Sequence, residues 1–454
     1  MVRTRIAPSP TGFPHIGTIY QALFNFAYAR KNNGKFLVRI EDTDRARFVE
    51  GAREVIFSSL DWFGLTEDES VRKGGEAGPY QQSERLPLYH KYAQELLDNG
   101  HAYFAYYPKD EAGKKKEYVQ HEAGKITQSE EIPPKTIAEM LERGDWIVRM
   151  KVPKDKQITF RDEIRGEITF ESNQVTDQVL IKSDGFPTYH LAVVVDDHLM
   201  GITHIVRGEE WISSTPKHVL LYDYFGWEKP LLYHTPDLRN PDKSKLSKRH
   251  GHTNVNWYRE EGYLPEAILN FLALQGWTHP EEKEIFSLDE FIQIFDVKDI
   301  RPGAPIFDLT KLTWMNQQYI QGKSDKELAK LIGDFFPKAH ELPEALFQNL
   351  MPLVKSRMET LRSFEQLTNV FFAPPPHLEE SKDVAQGTYG SLEKIQFWTS
   401  EHILAALRIV LQSHAIRMSV LYKLFTGEER GLPLPETLEL LGKKKTLSYI
   451  AWSI

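Results

Sequence analysis

The N-terminal forty residues constrain the fold more than any other stretch of the chain. Val2-Arg3-Thr4-Arg5-Ile6 reads as a short buried strand, and Gly12 lets the chain turn tightly after it. From Ile16 the apolar positions Ile16, Ile19, Tyr20, Leu23 and Ala27 follow helical spacing to about Lys31. Asn33-Gly34 marks a turn, and Phe36-Leu37-Val38-Arg39-Ile40 is a second strand. Strand, helix and strand in this order predict an α/β domain with a parallel sheet and a right-handed crossover.

Further along, helices are expected near 51–63 and 85–99. Residues 101–176 change character: they are charged, contain Lys114-Lys115-Lys116, and alternate in a β pattern around 146–171. They read as an inserted α+β lobe. The parallel pattern resumes with Val179-Leu180-Ile181, Leu191 to Val195 and Ile202 to Val206. A helix follows from about Thr215 to Phe225, with Pro216 in its first turn where the missing N–H costs little. After Gly251 the sequence turns helical, with Pro265 to Leu274 and then capping boxes at Ser287-Leu288-Asp289-Glu290 and Ser324-Asp325-Lys326-Glu327. The rest reads as all-α, except for Ala373-Pro374-Pro375-Pro376 and its polar sequel to about Ser391, expected to be a hinge. The expected divisions are 1–100 with 177–240 (the parallel sheet), 101–176 (the lobe), 241–322 (a connecting region), and two helical subdomains, 323–372 and 373–454.

Composition removes several classes of function. The 454-residue chain is long enough for about three domains of roughly 150 residues. It has no cysteine, which excludes disulfides and a thiolate zinc site and makes a reducing compartment the expected one. The arginines in residues 1–7 are not followed by an apolar run, so no secretory leader is expected. No apolar run of about 18 residues occurs, so no membrane span is expected. A net charge of −8 argues mildly against nucleic acid as a partner, but leaves room for a local basic face.

Two stretches carry chemistry. In His15-Ile16-Gly17-Thr18, Gly17 allows a ligand close to the backbone, and the helix that follows turns its N–H groups and positive dipole end toward it. His15 is placed to donate to a phosphate oxygen as charge builds. In Lys243-Ser244-Lys245-Leu246-Ser247-Lys248-Arg249-His250-Gly251, the lysines act as mobile point charges toward phosphate. Each has a bland alternative, an ordinary strand-to-helix turn and a solvated basic loop. Together they predict an ATP site gripped from two sides. Gly322-Lys323-Ser324 mimics the tail of a phosphate loop, but residue 317 is Gln where that loop needs glycine. No HExxH or GxSxG motif is present.

The pair resembles the two signature motifs of class I aminoacyl-tRNA synthetases. Arg3 to Gly12, Arg39-Ile40-Glu41-Asp42-Thr43-Asp44, Tyr189-His190-Leu191-Ala192 with Val195-Asp196-Asp197-His198, and Val206-Arg207-Gly208-Glu209-Glu210-Trp211 are similar to the glutamyl-tRNA synthetases. Asn254, Trp257-Tyr258 and Gly262 to Ala267 extend the resemblance, which covers residues 1–320 and fades beyond. It implies a Rossmann-like class I catalytic domain and an all-α anticodon-binding region. It also implies that Arg5 and Tyr189 hold the side-chain carboxylate of L-glutamate, Arg207 the α-carboxylate, and Glu41 with Ser9 the amino group, with Ala7 lining the same pocket. Thr11, His15 and Gly17 would meet ATP, Glu210 and Leu238 the nucleoside, and Lys245 and Lys248 the departing pyrophosphate.

An arginine left unpaired by glutamine would give discrimination without an editing domain. Some members of the family carry a zinc knuckle in the lobe. Here that stretch is Ala102-Tyr103-Phe104-Ala105-Tyr106-Tyr107, so no zinc is expected, and Mg²⁺ is expected only with ATP. The resemblance further implies tRNA-Glu as partner, with the lobe at the acceptor end, 241–322 on the stem and the C-terminal helices on the anticodon. Arg357, expected on a helix, is a candidate anticodon contact. A monomeric, cytoplasmic enzyme is the expectation. An adenylyltransferase of the same superfold with a small acceptor, glutaminyl-tRNA synthetase, and a non-catalytic RNA-binding relative are the alternatives. Whether tRNA-Gln is also charged stays open.

Overall fold

Thr4, Arg5 and Ile6 are buried, and the first strand, β1 (Arg3–Ile6), runs parallel to β2 (Lys35–Val38) in the register Arg3↔Lys35 to Ile6↔Val38. The crossover between them is α1 (Ile16–Lys31), which buries Ile16, Ile19, Tyr20, Leu23, Phe24 and Ala27. Each such large apolar side chain contributes roughly 1.5–3 kcal/mol on burial. This is a computed structural model, which describes residues 1–106, 133–246, 253–376, 382–451 and 454. By its internal contacts the chain divides into two compact units, 1–257 with 269–308, and 258–268 with 309–454.

In the first unit α2 (Ala52–Trp62) leads to the short β3 (Glu69–Ser70), parallel to β2, and then to α3 (Leu86–Asp98). Strands β4 (Ala102–Tyr106), β5 (Trp146–Met150) and β8 (Val179–Ile181) form an antiparallel sheet, with α4 (Ile137–Arg143) between the first two. Strands β6 (Gln157–Asp162) and β7 (Gly166–Glu171) form a hairpin. After α5 (Tyr189–Leu199), β9 (His204–Gly208), α6 (Thr215–Phe225) and β10 (Leu231–Thr235) complete a second parallel pair. Thr203, just before β9, donates from its N–H to the Arg3 carbonyl at 3.0 Å, which ties β9 to β1. The ends of β1, β2, β9 and β10 therefore open onto shared loops, the edge at which parallel sheets bind ligands.

Several expectations need correction. Leu191 to Val195 is not a strand but the middle of α5, buried throughout. A continuous apolar run fits a buried helix as well as a buried strand, and periodicity alone does not separate them. Val179–Ile181 is a strand, but antiparallel. The hairpin of the expected lobe is not separate from the parallel sheet: Asp162 on β6 pairs with Leu232 on β10. Trp146 and Val148 likewise share one core with Leu191, Val195 and Leu221. At Ser287 only half of a capping box forms: its side chain accepts from the Glu290 N–H, while the Glu290 carboxylate goes to Lys283 and His279.

Helix α7 (Val255–Glu260) and α8 (Pro265–Gly276) are shared between the units, and α9 (Leu288–Ile294) belongs to the first. The second unit is helical: α10 (Leu309–Gly322), α11 (Asp325–Phe335), α12 (Glu344–Lys355), α13 (Ser363–Phe372), α14 (Lys382–Glu393), α15 (Ser400–Ser413), α16 (Met418–Thr426), α17 (Leu434–Leu441) and α18 (Lys443–Ala451). Ser324 heads α11 with a complete capping box. One core holds Leu328, Phe364, Leu407 and Leu438 together, so the expected division at 372/373 does not separate two cores. Residues 382–391 are helical rather than part of a hinge. Arg357 is exposed in the turn after α12, not on a helix. Among the described residues no single helix is long and apolar enough to cross a membrane.

Candidate active site

A cleft of about 700 Å³ opens at the strand ends of the first unit, within the usual size of a small-molecule site. Arg5, Ala7, Ser9, His15, Gly17, Glu41, Tyr189, Arg207, Glu210, Leu238 and Lys245 all line it. Thr11 does not; its N–H turns back to the Ser9 carbonyl at 2.8 Å. Lys248 and Lys114-Lys115-Lys116 lie outside the described residues, and Arg357 lies in the second unit.

Arg5 does not sit free in the cleft. Its Nε and Nη2 donate to the two carboxylate oxygens of Asp197, both at 3.0 Å. Arg39, fully buried, donates to Asp197 at 2.7 Å and to Glu41 at 3.2 Å, and lies 3.5 Å from Asp196. Asp196 in turn accepts from Arg85 at 2.6 Å, from the Gln82 amide at 2.9 Å and from the Tyr89 hydroxyl. Three guanidinium groups thus meet three carboxylates. Mutual pairing is what makes so many buried charges tolerable. Burial opposes ionisation of Asp197, but Arg5 and Arg39 outweigh it and hold its carboxyl below the ordinary range. For Glu41 burial wins over Arg39 and Arg5, and its pKa is pushed up to about 7.

Arg207, on β9, is held differently. Its Nε donates to His234 Nε2 at 3.0 Å, Nη2 to Thr215 Oγ1 at 2.8 Å, and Nη1 to His218 Nδ1 at 3.2 Å and, more weakly, to the Tyr189 hydroxyl at 3.4 Å. Among the described residues it makes no ion pair, although it is 6% exposed.

His15 caps α1: its Nδ1 accepts the Gly17 N–H at 3.0 Å. That corrects one expectation, since this N–H is engaged and not directed at a ligand. With Nδ1 accepting, the ring's proton resides on Nε2, so the imidazole is a donor there. A Cβ on residue 17 would lie 3.0 Å from His15 Nδ1, so glycine is what lets the ring close over the helix end. Lys245 pairs with Asp237 at 2.9 Å. Glu210 folds back over Gly208, where a Cβ would meet its carboxylate at 1.9 Å. Burial, and Asp237 beside it, raise the pKa of Glu210.

Sequence reasoning gave no role to Asp197, Asp196, Arg85, His218, His234 or Asp162. A signal existed for the first two: Asp196-Asp197 ends an apolar run and Arg39 interrupts an apolar strand, so partners had to be found. Nothing local marked the histidines.

With the geometry in place, comparisons agree with it. Residues 1–314 match the model of the tRNA synthetases class I (E and Q) catalytic domain, and 327–452 that of an anticodon binding domain. The chain is 45% identical to the glutamate–tRNA ligase of Thermus thermophilus over 98% of both chains. It is 42% identical to that of Acidothermus cellulolyticus over 98% of this chain and 94% of the other. The crystal structure of the Elizabethkingia anophelis glutamate-tRNA synthetase superposes with a TM-score of 0.83 at 33% identity, covering 100% of this chain and 99% of that one. The chain therefore belongs to the glutamate–tRNA ligases, within the class I tRNA synthetases of the E and Q group.

Proposed function

We propose that this chain joins L-glutamate to tRNA-Glu in two steps. ATP and glutamate first give glutamyl-adenylate and pyrophosphate; the glutamyl group then passes to the 3′ end of the tRNA, releasing AMP. The observation that carries this reading is the charge pattern of the cleft. The Arg5, Arg39 and Arg85 charges are matched by Glu41, Asp196 and Asp197, whereas Arg207 is a buried cation without a carboxylate. Glutamate, with two carboxylates and one ammonium, supplies the missing negative charge. In this reading Arg207 takes its α-carboxylate, Arg5 through Nη1 and Tyr189 through its hydroxyl take the side-chain carboxylate, Glu41 and Ser9 take the ammonium, and Ala7 lines the pocket.

ATP lies against His15 and Gly17 near Thr11, with its nucleoside by Glu210 and Leu238. His15 Nε2–H donates to phosphate as the α-phosphate is attacked, and Lys245, leaving Asp237, follows the pyrophosphate with Lys248. Mg²⁺ would arrive on the triphosphate. Among the described residues no group of three or more His, Asp and Glu side chains is placed for a metal, so no step here runs through it. We assign the lobe 101–176 to the acceptor end without zinc, since Tyr106 packs on Trp146 at 5.3 Å where some relatives carry a knuckle. We assign 241–322 to the stem, and 323–372 and 373–454, with Arg357, to the anticodon. A monomer suffices, because one chain supplies every residue of the cleft. The cytoplasm suits a chain without cysteine.

Glutamate-dependent ATP–pyrophosphate exchange, with and without tRNA, and charging of tRNA-Glu and tRNA-Gln test the reading. Exchange with no charging of any tRNA would replace it with a small-acceptor adenylyltransferase. No exchange under either condition would leave a non-catalytic RNA-binding relative.

A further inference from the structure

The hydrogen bonds around Arg207 leave little freedom in where the protons are. Asp162 is fully buried, and its carboxylate accepts four N–H groups: Ile164 and Arg165 at 3.0 and 2.8 Å, the His234 backbone at 2.9 Å, and His234 Nδ1 at 2.7 Å. An acceptor so surrounded is ionised, so His234 Nδ1 carries a proton. Arginine has only donors, so His234 Nε2, 3.0 Å from Arg207 Nε, must be the bare nitrogen of a neutral ring. The same rule fixes the other side. His218 Nδ1 accepts from Arg207 Nη1, which leaves its Nε2–H to donate to His190 Nδ1 at 3.0 Å. Thr215 spends its own proton on the Trp211 carbonyl at 2.9 Å and so accepts from Arg207 Nη2. Burial supports the neutral rings, lowering His234 and His190 to about 4 and His218 further.

We propose that His234, oriented by Asp162, and His218, backed by His190, are positioning residues that fix the plane of the Arg207 guanidinium through neutral acceptors and so keep its charge available to the substrate's α-carboxylate. A carboxylate in place of either imidazole would hold the arginine equally well but would cancel that charge. The inference rests on Arg207 receiving the α-carboxylate, as assigned above.

Two substitutions at His234 separate positioning from support. Asparagine keeps a donor near the Nδ1 position for Asp162 but loses the acceptor for Arg207; glutamine keeps an acceptor near the Nε2 position and loses the donor. In glutamate-dependent exchange with tRNA present, His234→Asn should raise the glutamate KM about tenfold or more, in line with the loss of a buried charged hydrogen bond. Its kcat and ATP KM should stay within about threefold, and His234→Gln should recover most of the loss. Inhibition by the glutamate analogue whose α-carboxylate is reduced to CH2OH should be the same in parent and variant. An unchanged glutamate KM in His234→Asn, or equal loss for glutamate and the analogue, overturns the proposal. Should His234 variants not fold, the pair His218→Asn, which keeps the Nδ1 acceptor, and His218→Gln, which does not, puts the same question with the order reversed. A parent enzyme with no glutamate-dependent exchange would overturn the functional reading, a different outcome from a parent that exchanges and a variant whose KM does not move.

Discussion

The two cleft arginines are buried alike and compensated differently. Arg5 is 4% exposed and shares both oxygens of Asp197 with Arg39. Arg207 is 6% exposed and touches imidazoles and hydroxyls. A buried charge is strongly disfavoured unless paired, so the Arg207 site is stabilised by an arriving anion far more than the Arg5 site is. Arg5 is a member of a neutral ionic lattice with donors to spare. The difference separates two jobs that sequence alone gave equally to both: Arg207 supplies the attraction, whereas Arg5 supplies directional selectivity through the one nitrogen that Asp197 leaves open.

That contrast breaks or holds at the following points, taken from the largest effect down. Arg207→Gln should lower kcat/KM for glutamate by roughly 10³-fold, about 4 kcal/mol, as expected for truncating a buried charged contact. Exchange kinetics read it directly, and a loss under tenfold would remove Arg207 from the site. For Arg5→Gln about 10²-fold is expected, because Tyr189 remains; intact glutamate use would cancel the side-chain carboxylate assignment.

Glu41 gives a pH signature. With its pKa at about 7, the carboxylate that meets the substrate ammonium is mostly ionised at high pH and protonated below. The glutamate KM should therefore rise as pH falls, by about tenfold per unit below 7. Glu41→Gln should give a high KM that no longer varies there, and a parent profile flat across this range would contradict the assignment. Smallest is Lys245→Ala. Its exposed side chain works on phosphate, so kcat should fall by about tenfold or less with the glutamate KM unmoved.

Much of this cleft was legible because local rules and the tertiary structure agree. The helix from Ile16 has helical spacing, a turn before it and a cap at its head, and it forms over Ile16–Lys31 as expected. Arg5, Glu41 and Arg207 were found because polar residues at strand ends point to a ligand edge. The failures share a cause as well. Leu191–Val195 was read as a strand because a run that is buried all round carries no period. Asp162, His218 and His234 are separated in sequence by dozens of residues and meet only through the pairing of β6 with β10 and the packing of α6, so no window along the chain brings them together. Arg357 fell just past a helix end, where boundaries are least certain.

Thermal unfolding of Arg5→Met and Arg207→Met, each with and without glutamate, tests the contrast most directly. Breaking the Arg5–Asp197 pair should cost about 3 kcal/mol and lower the Tm of Arg5→Met by roughly 5 °C or more without ligand. Removing Arg207 takes away an uncompensated buried cation, so Arg207→Met should stay within about 2 °C of the parent while losing the rise that glutamate gives the parent. The opposite order, with Arg207→Met the less stable variant and still stabilised by glutamate, would contradict the account.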